Sequence, residues 1–357
     1  MRSLLKRILS PDLIASVKAK FESFDKLCVN ICAESRFLSS VYYCFFSRKF
    51  DREHVAVLQG RKRYWKQLSD PAASSVMLRR NIHRVEKGLI MQPRRDLFGL
   101  AFIEETVQRY IDSHSANTLA DAEGKWAKDV LNQYFEAVKP GQSRVVDDAR
   151  EQFIGLHSDV NANEQHAPYS RDSIIKTDVS FEQFKHLCVQ RRSVRWFEDK
   201  PVPRAEIDKA ISAATLAPSA CNRQPFEFFL FDNPDEAKEI GAMPMGTAGF
   251  SHNFQCVIVV VGDLAAYPYE RDRHVIYIDG SLASMQLMLA LETLGLSSCV
   301  INWPDIEQYE AKMADKLKLT ENKRPLMMIS IGYAEQTGMI PFSQKKSVNE
   351  LIKEVQL

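Results

Sequence analysis

Apolar positions change their rhythm once along this chain. As far as about residue 175 they recur at three- and four-residue spacing with few runs suited to strands, which predicts a helical first half. Within it, the segment from Arg84 to Leu89 is expected to end a helix, with Gly88 as the terminator. The stretch from Leu27 to Phe46 is apolar enough to raise the question of a membrane span, but Glu34 and Arg36 fall in its middle, where each charge is costly in lipid. A buried helix is expected there instead. The opening segment, Met1 to Ile14, is interrupted by Lys6, Arg7 and Asp12 and lacks a convincing signal-peptide cleavage site, so it is expected to form a short amphipathic helix. The stretch from Asp159 to Thr177, with Asn161, Asn163 and Pro168, has linker chemistry. The domain boundary is therefore drawn there, dividing 1–175 from 176–357.

Beyond the boundary, helical and strand-like patterns alternate. Ser180 is placed to cap a helix through Val189, with Glu182 and Gln183 in the first turn and Phe181, Phe184, Leu187 and Cys188 on its apolar face. A second helix begins near Pro203, carries Ile207, Ala210, Ile211 and Ala214, and must stop before Pro218. Three runs, Phe226 to Phe231, Cys256 to Val261 and Leu326 to Ile331, are short and rich in β-branched or aromatic residues, as central strands are. The segment from Asp279 to Leu294, closed by Gly295, is apolar on nearly every side. Such a helix is buried on more than one face and suits a subunit interface.

Composition narrows the function classes. With 357 residues there is room for two cores, and 45% hydrophobic with 26% charged residues is ordinary for a globular protein. A formal net charge of +1 argues against a dominant nucleic-acid role. Seven scattered cysteines, an odd number, do not form a disulfide framework and fit a reducing, cytoplasmic setting.

Two strings concentrate the candidate chemistry. In RRSVRWF, Arg191, Arg192, Ser193 and Arg195 follow a helix, and in an extended segment Ser193 and Arg195 share a side, presenting a hydroxyl and a planar cation together. Alone, that string also reads as a solvated basic turn. In APSACNRQPFEFF, Pro218 ends the helix, Ser219 and Ala220 are small enough for close approach to a flat ring, and Asn222 and Gln224 offer amides to a polar ring edge. Cys221 sits among them, either as a reactive substrate-facing thiol or as a small filler.

In content and order these strings resemble the two flavin-gripping segments of the nitroreductase family, and the resemblance runs almost continuously from about Ser180 to the end. It implies an α+β sandwich, a central mixed sheet flanked by helices, here preceded by an all-α region. It also implies a homodimer with FMN at the interface, NADH or NADPH as reductant, a small electron-poor acceptor and no side-chain acid or base. By the same resemblance, Val300, Ile301 and Asn302 supply backbone groups near the reactive ring nitrogen. Lys345, with Lys346 as the runner-up, reaches the phosphate, unless both simply solvate the tail. Phe226 stands where the family commonly has tryptophan, and the short stretches on either side of the second strand leave little material for a lid. The first of them holds Gly246, Gly249, Ser251, His252 and Asn253, which either contact ring or substrate or, as is expected here, form a flexible glycine loop. Other outcomes in the same fold are dehalogenation, flavin breakdown, or a non-enzymatic flavin-binding sensor or scaffold.

The first half adds a basic helix face. Arg80, Arg84 and Lys87 share it, with His83 adjoining, and it is either a site for an anionic group or a solvated surface. His83 and Glu86 have a spacing compatible with a metal but lack companions.

Overall fold

The structure, a computed structural model, describes residues 10–70, 74–156 and 165–356. The opening segment through residue 9 and the expected turn positions Asn161 and Asn163 lie outside the described residues. The chain forms two compact units, Met1–Val55 and Ala56–Leu357.

The first unit contains helix α1 (Pro11–Cys32), the short helix α2 (Arg36–Val41) and a π-helical turn over Tyr42–Ser47. Ser10 caps α1 by accepting from the Leu13 N–H at 3.3 Å. The single buried helix expected over Leu27 to Phe46 is not found. Ser35 accepts from the Leu38 N–H and starts a new helix, while Phe37, Phe45 and Phe46 remain exposed. Composition marked these residues as apolar, but this unit supplies no further layer to cover them.

Helix α3 (Asp51–Leu68) crosses into the second unit, where Ala56 and Val57 join a core beneath the sheet. Four more helices follow: α4 (Val76–Leu89), α5 (Ile103–Ser115), α6 (Asp121–Ala137) and α7 (Arg144–Ile154). They enclose a core of their own around Ile82, Val85, Ile103, Val107, Leu131, Tyr134 and Phe153. Gly88 lies inside α4 rather than ending it. A β-carbon there would come within 2.3 Å of the Phe98 ring, so the glycine serves close packing.

The remaining elements build the sheet layer. Helix α8 (Phe181–Gln190) opens with the capping box of Ser180 and Gln183, and α9 (Arg204–Ala214) starts after Pro203. Strand β1 (Phe226–Phe231) is followed by α10 (Pro234–Gly241), β2 (Cys256–Asp263), α11 (Val275–Thr293), β3 (Ser297–Asn302), α12 (Glu307–Leu317), β4 (Lys323–Gly332) and α13 (Val348–Leu351). The strand order is β1-β2-β4-β3 and every ladder is antiparallel. The sheet's mixed character rests on one isolated parallel bridge, Ser193 with Ser298.

Strand β2 shows how the sheet holds two layers together. Cys256, Ile258 and Val260 point into one core with α9 and α11, whereas Val257, Val259 and Val261 point into the other with α10 and Phe254. Burying each such side chain contributes about 1.5–3 kcal/mol, so a strand that is apolar on both faces belongs in the middle.

Helix α11 is divided lengthwise. Ile276, Ala283, Leu287 and Leu291 are fully buried, but Ile278, Leu282 and Met285 form an exposed stripe at i, i+4 and i+7. Among the described residues the helical stretch Glu270–Thr293 is the one long and apolar enough to cross a membrane by length and composition, yet its buried face packs on the sheet. Helix α8 buries none of its residues, and Phe181 and Phe184 stand in solvent.

Candidate functional site

The basic string leaves α8 as an extended segment running along β3. The Val194 N–H donates to the Ser298 carbonyl at 3.1 Å, and the Val194 and Phe197 side chains enter the core. Ser193 hydrogen-bonds Cys299, and the charges of Arg195 and Arg191 also act on that thiol. Burial nevertheless pushes the Cys299 thiol above its ordinary range, the three polar neighbours offsetting only part of the effect.

Asn253 fixes this segment. Its Oδ1 accepts from the Phe197 N–H and its Nδ2 donates to the Arg195 carbonyl, both at 2.9 Å, so one amide clamps the backbone that carries Arg195. Arg195 also lies over the Phe250 ring at 5.7 Å. The stretch expected to be a flexible glycine loop is thus a positioning device. Arg191 is drawn toward buried Glu292, whose carboxyl is raised by burial against the lowering effects of Gln190, Ser297 and Arg191. Two buried polar atoms beside the bridge, Arg191 Nε and Ser298 Oγ, have no hydrogen-bond partner. Such atoms are costly unless a further group meets them.

The second string forms a tight turn before β1. Cys221, Asn222 and Gln224 all adopt positive φ, at 53°, 51° and 49°. Each such non-glycine residue costs about 1–3 kcal/mol and persists only where its surroundings hold it. Here the Gln224 N–H donates to Ser219 Oγ at 3.1 Å, Gln224 Nε2 donates to Asn222 Oδ1 at 3.0 Å, and the Ala220 N–H donates to Asp279 Oδ2 at 3.0 Å. From α4, Arg79 Nε donates to the Asn222 carbonyl at 3.0 Å. Arg223 is buried, donates to the Ala266 carbonyl and stacks on Tyr267. Pro218 is exposed, while Ser219, Ala220, Cys221, Asn222 and Gln224 are half-buried along one rim.

Asp279 supports the turn from α11 and is almost wholly buried. Burial raises its carboxyl above the usual range despite the bonds from Ala220 and Tyr267. The folded state therefore holds this proton more tightly than the unfolded chain. The associated stability is present at acid pH and is lost as the pH rises from about 4 through the raised folded value. Urea unfolding at pH 4, 5, 6 and 7 is expected to show the wild type losing stability relative to Asp279→Asn as pH rises. Parallel trends for the two proteins would contradict this.

The two strings do not meet within one chain. Strand β1 starts at one edge with Phe226 opposite Gly262, while Ser298 on the other edge strand pairs with Ile331, itself opposite Cys256. They are thus three strand spacings apart, about 14 Å, and offset along β2 by six residues, about 20 Å. The string order in the sequence gave no hint of this diagonal. Val300 and Asn302 are exposed at the end of β3 and Ile301 is buried, so Ile301 has only its backbone to offer at this edge. Lys345 and Lys346 lie in an exposed tail, where the Lys345 carbonyl accepts from Gln344 Nε2 at 2.8 Å. On α4, His83 Nδ1 and Glu86 Oε2 are 3.2 Å apart and Glu86 also accepts from the Trp126 indole, so the pair is committed to neighbouring side chains.

Comparison with known proteins returns a consistent pattern. A family model described as the Nitroreductase family matches residues 188–248 and 242–333. A protein of Archaeoglobus fulgidus with the provisional name NADH dehydrogenase/NAD(P)H nitroreductase is 30% identical over 155 residues, covering 43% of this chain and 86% of that protein. An iodotyrosine deiodinase of Haliscomenobacter hydrossis is 23% identical over 208 residues, covering 50% of this chain and 90% of the relative. Among solved structures, an FMN-dependent nitroreductase from Clostridium difficile R20291 aligns at a TM-score of 0.38 with 25% identity, over 44% of this chain and 91% of its own.

Proposed function

The chain belongs to the nitroreductase family, and from that premise we propose that residues 176–357 bind FMN in a homodimer and that the protein is an NAD(P)H-dependent oxidoreductase of a small electron-poor acceptor. The observation that carries the reading is the diagonal separation of the two half-sites, which a second copy of the chain would complete. Ser193, Arg192 and Arg195 from one protomer would hold the phosphate, with Lys345 as a further cation. The turn from Ser219 to Gln224 of its partner would lie along the ring. The residues fit the group: orphaned Arg191 Nε and Ser298 Oγ border the cationic cradle, and the half-buried small residues Ser219 and Ala220 leave room beside the amides.

FMN, when bound, accepts hydride from NADH or NADPH and passes electrons to the acceptor. The protein's own part is to bind, orient and exclude water. Guanidinium groups at one end and β3 backbone groups near the ring would favour the negative charge of the reduced state. The exposed stripe of Ile278, Leu282 and Met285, together with Phe181 and Phe184, supplies apolar surface for the partner. Seven free cysteines support a cytoplasmic setting.

Purified protein tests this directly. It is expected to be yellow with FMN near one per chain, to bleach anaerobically with NADH or NADPH, and to recover its colour on adding a nitroaromatic. Similarity to the deiodinase favours, as a second reading, reductive dehalogenation, in which a haloaromatic restores the colour and the nitroaromatic does not. A colourless protein at micromolar FMN would overturn the proposal, and a yellow one that neither nucleotide bleaches would point to a sensor or scaffold.

A further inference from the structure

Helix α4 packs on the 220–222 turn and brings a concentration of guanidinium groups to it. Arg79 is neutralised, lying 3.3 Å from Glu123 while bonding the Asn222 carbonyl. Its neighbours are not. Arg80 has only Met77 Sδ at 4.0 Å, and Arg84 lies 3.6 Å over the Phe102 ring with Asn81 Oδ1 at 3.4 Å. Buried Arg223, in the turn itself, bonds a backbone carbonyl and leaves its Nε without a partner. Among the described residues none of these three guanidiniums forms an ion pair. Glu105, whose charge does act on Arg84, accepts instead from Asn81 Nδ2 at 3.1 Å.

Arg80 and Arg84 are half-buried and one helical turn apart, an arrangement in which like charges repel. Arg84 also senses Cys221, so this face looks onto the turn's rim. Burial and the Arg80 charge together lower its guanidinium below the ordinary range. A partly desolvated cation cluster that forms no ion pair, its charge offset only in part by Glu105 and Cys221, is unfavourable for folding and favourable for an anion. Lys87, which shares the helix face by spacing, is exposed and lies further along.

We infer that Arg80 and Arg84 of α4, with Arg223 beneath them, form a subsite for a carboxylate or phosphate group on the molecule that docks over the 219–224 turn. The inference rests on the flavin reading for what that molecule does, which makes it either an anionic electron acceptor or the phosphate-bearing reductant. Two sources share the chemistry, and paired substrates separate them. The helical region before residue 175 then supplies the substrate contacts for which the short loops around β2 lack material.

The variants are Arg80→Gln/Arg84→Gln and, because Arg84 stacks on Phe102, the milder Arg80→Gln alone. FMN content is measured first. For the acceptor, 4-nitrobenzoate is compared with its methyl ester; for the reductant, NADH and NADPH are compared with uncharged N-benzyl-dihydronicotinamide. The preference for the charged member of one pair, as a ratio of kcat/KM, is expected to fall at least tenfold in the double variant. A fall with 4-nitrobenzoate assigns the subsite to the acceptor, and a fall with the nucleotides assigns it to the reductant. Unchanged ratios in both pairs would overturn the inference. Should the wild type carry no flavin, calorimetric titration with 4-nitrobenzoate and with pyrophosphate replaces turnover. Binding lost in the variant then sustains the anion site without the flavin reading, and absence of binding to the wild type removes it.

Discussion

Two flavinless variants are expected to restore flavin binding when their chains share a dimer. Arg192→Ala/Arg195→Ala removes the cations of the cradle beside β3, and Ala220→Trp fills the slot at the turn before β1, so neither homodimer should retain FMN. If each site draws its cradle from one protomer and its turn from the other, a hybrid dimer has one site with both lesions and one with neither. Co-expression with two affinity tags followed by tandem purification should yield about one FMN per hybrid dimer, against about two for the wild type. A site built within one chain would place a lesion in every site of the hybrid, and no flavin would return. The prediction follows from sheet geometry alone: the cradle is anchored at Ser298 and the turn feeds Phe226, at opposite edges and opposite ends of the sheet.

The sheet was legible because its strands carry their signal locally. Phe226 to Phe231 appears at the expected bounds, and β2 and β4 extend the expected runs by only a few residues, since each apolar run is too short and too branched for a helix. The capping box at Ser180 was equally local. What escaped were features set by partners distant in sequence. Gly88 reads as a terminator until Phe98 is seen against it, and Asn253 reads as loop until its amide is found bridging Arg195 and Phe197, more than fifty residues away. The positive φ of Cys221 and Gln224 had no glycine to announce it and depends on Ser219 and Asp279.

Exposure was the other blind spot. The apolar pattern of α8 and of the outward side of α11 predicts burial, but Phe181, Phe184, Ile278 and Leu282 are exposed in the single chain. Periodicity says that a face wants cover and not whether its own chain provides it. The same ambiguity misplaced Leu27 to Phe46, where apolar character alone suggested an interior helix.

The largest stability loss is expected at a site that the sequence did not single out, the buried pair of Glu310 on α12 and Arg324 on β4. Both are 2% exposed, and Arg324 Nε donates to Glu310 Oε2 at 3.1 Å while the Trp303 indole N–H donates to Oε1 at 2.8 Å. Asp305, 2.8 Å from Arg324, is half-exposed and is a poorer counter-charge. Glu310→Leu would strand a buried guanidinium and an indole donor together, at a cost of about 3–5 kcal/mol. Because the penalty comes from the charge left behind, Glu310→Leu/Arg324→Met should recover most of it. Urea unfolding of both variants measures the difference. A single variant that loses under about 1 kcal/mol, or a double variant no better than the single, would mean that Arg324 finds water or Asp305 instead. Trp303 directly follows Asn302, so the single variant is also expected to loosen the end of β3 and weaken FMN retention before the protein unfolds.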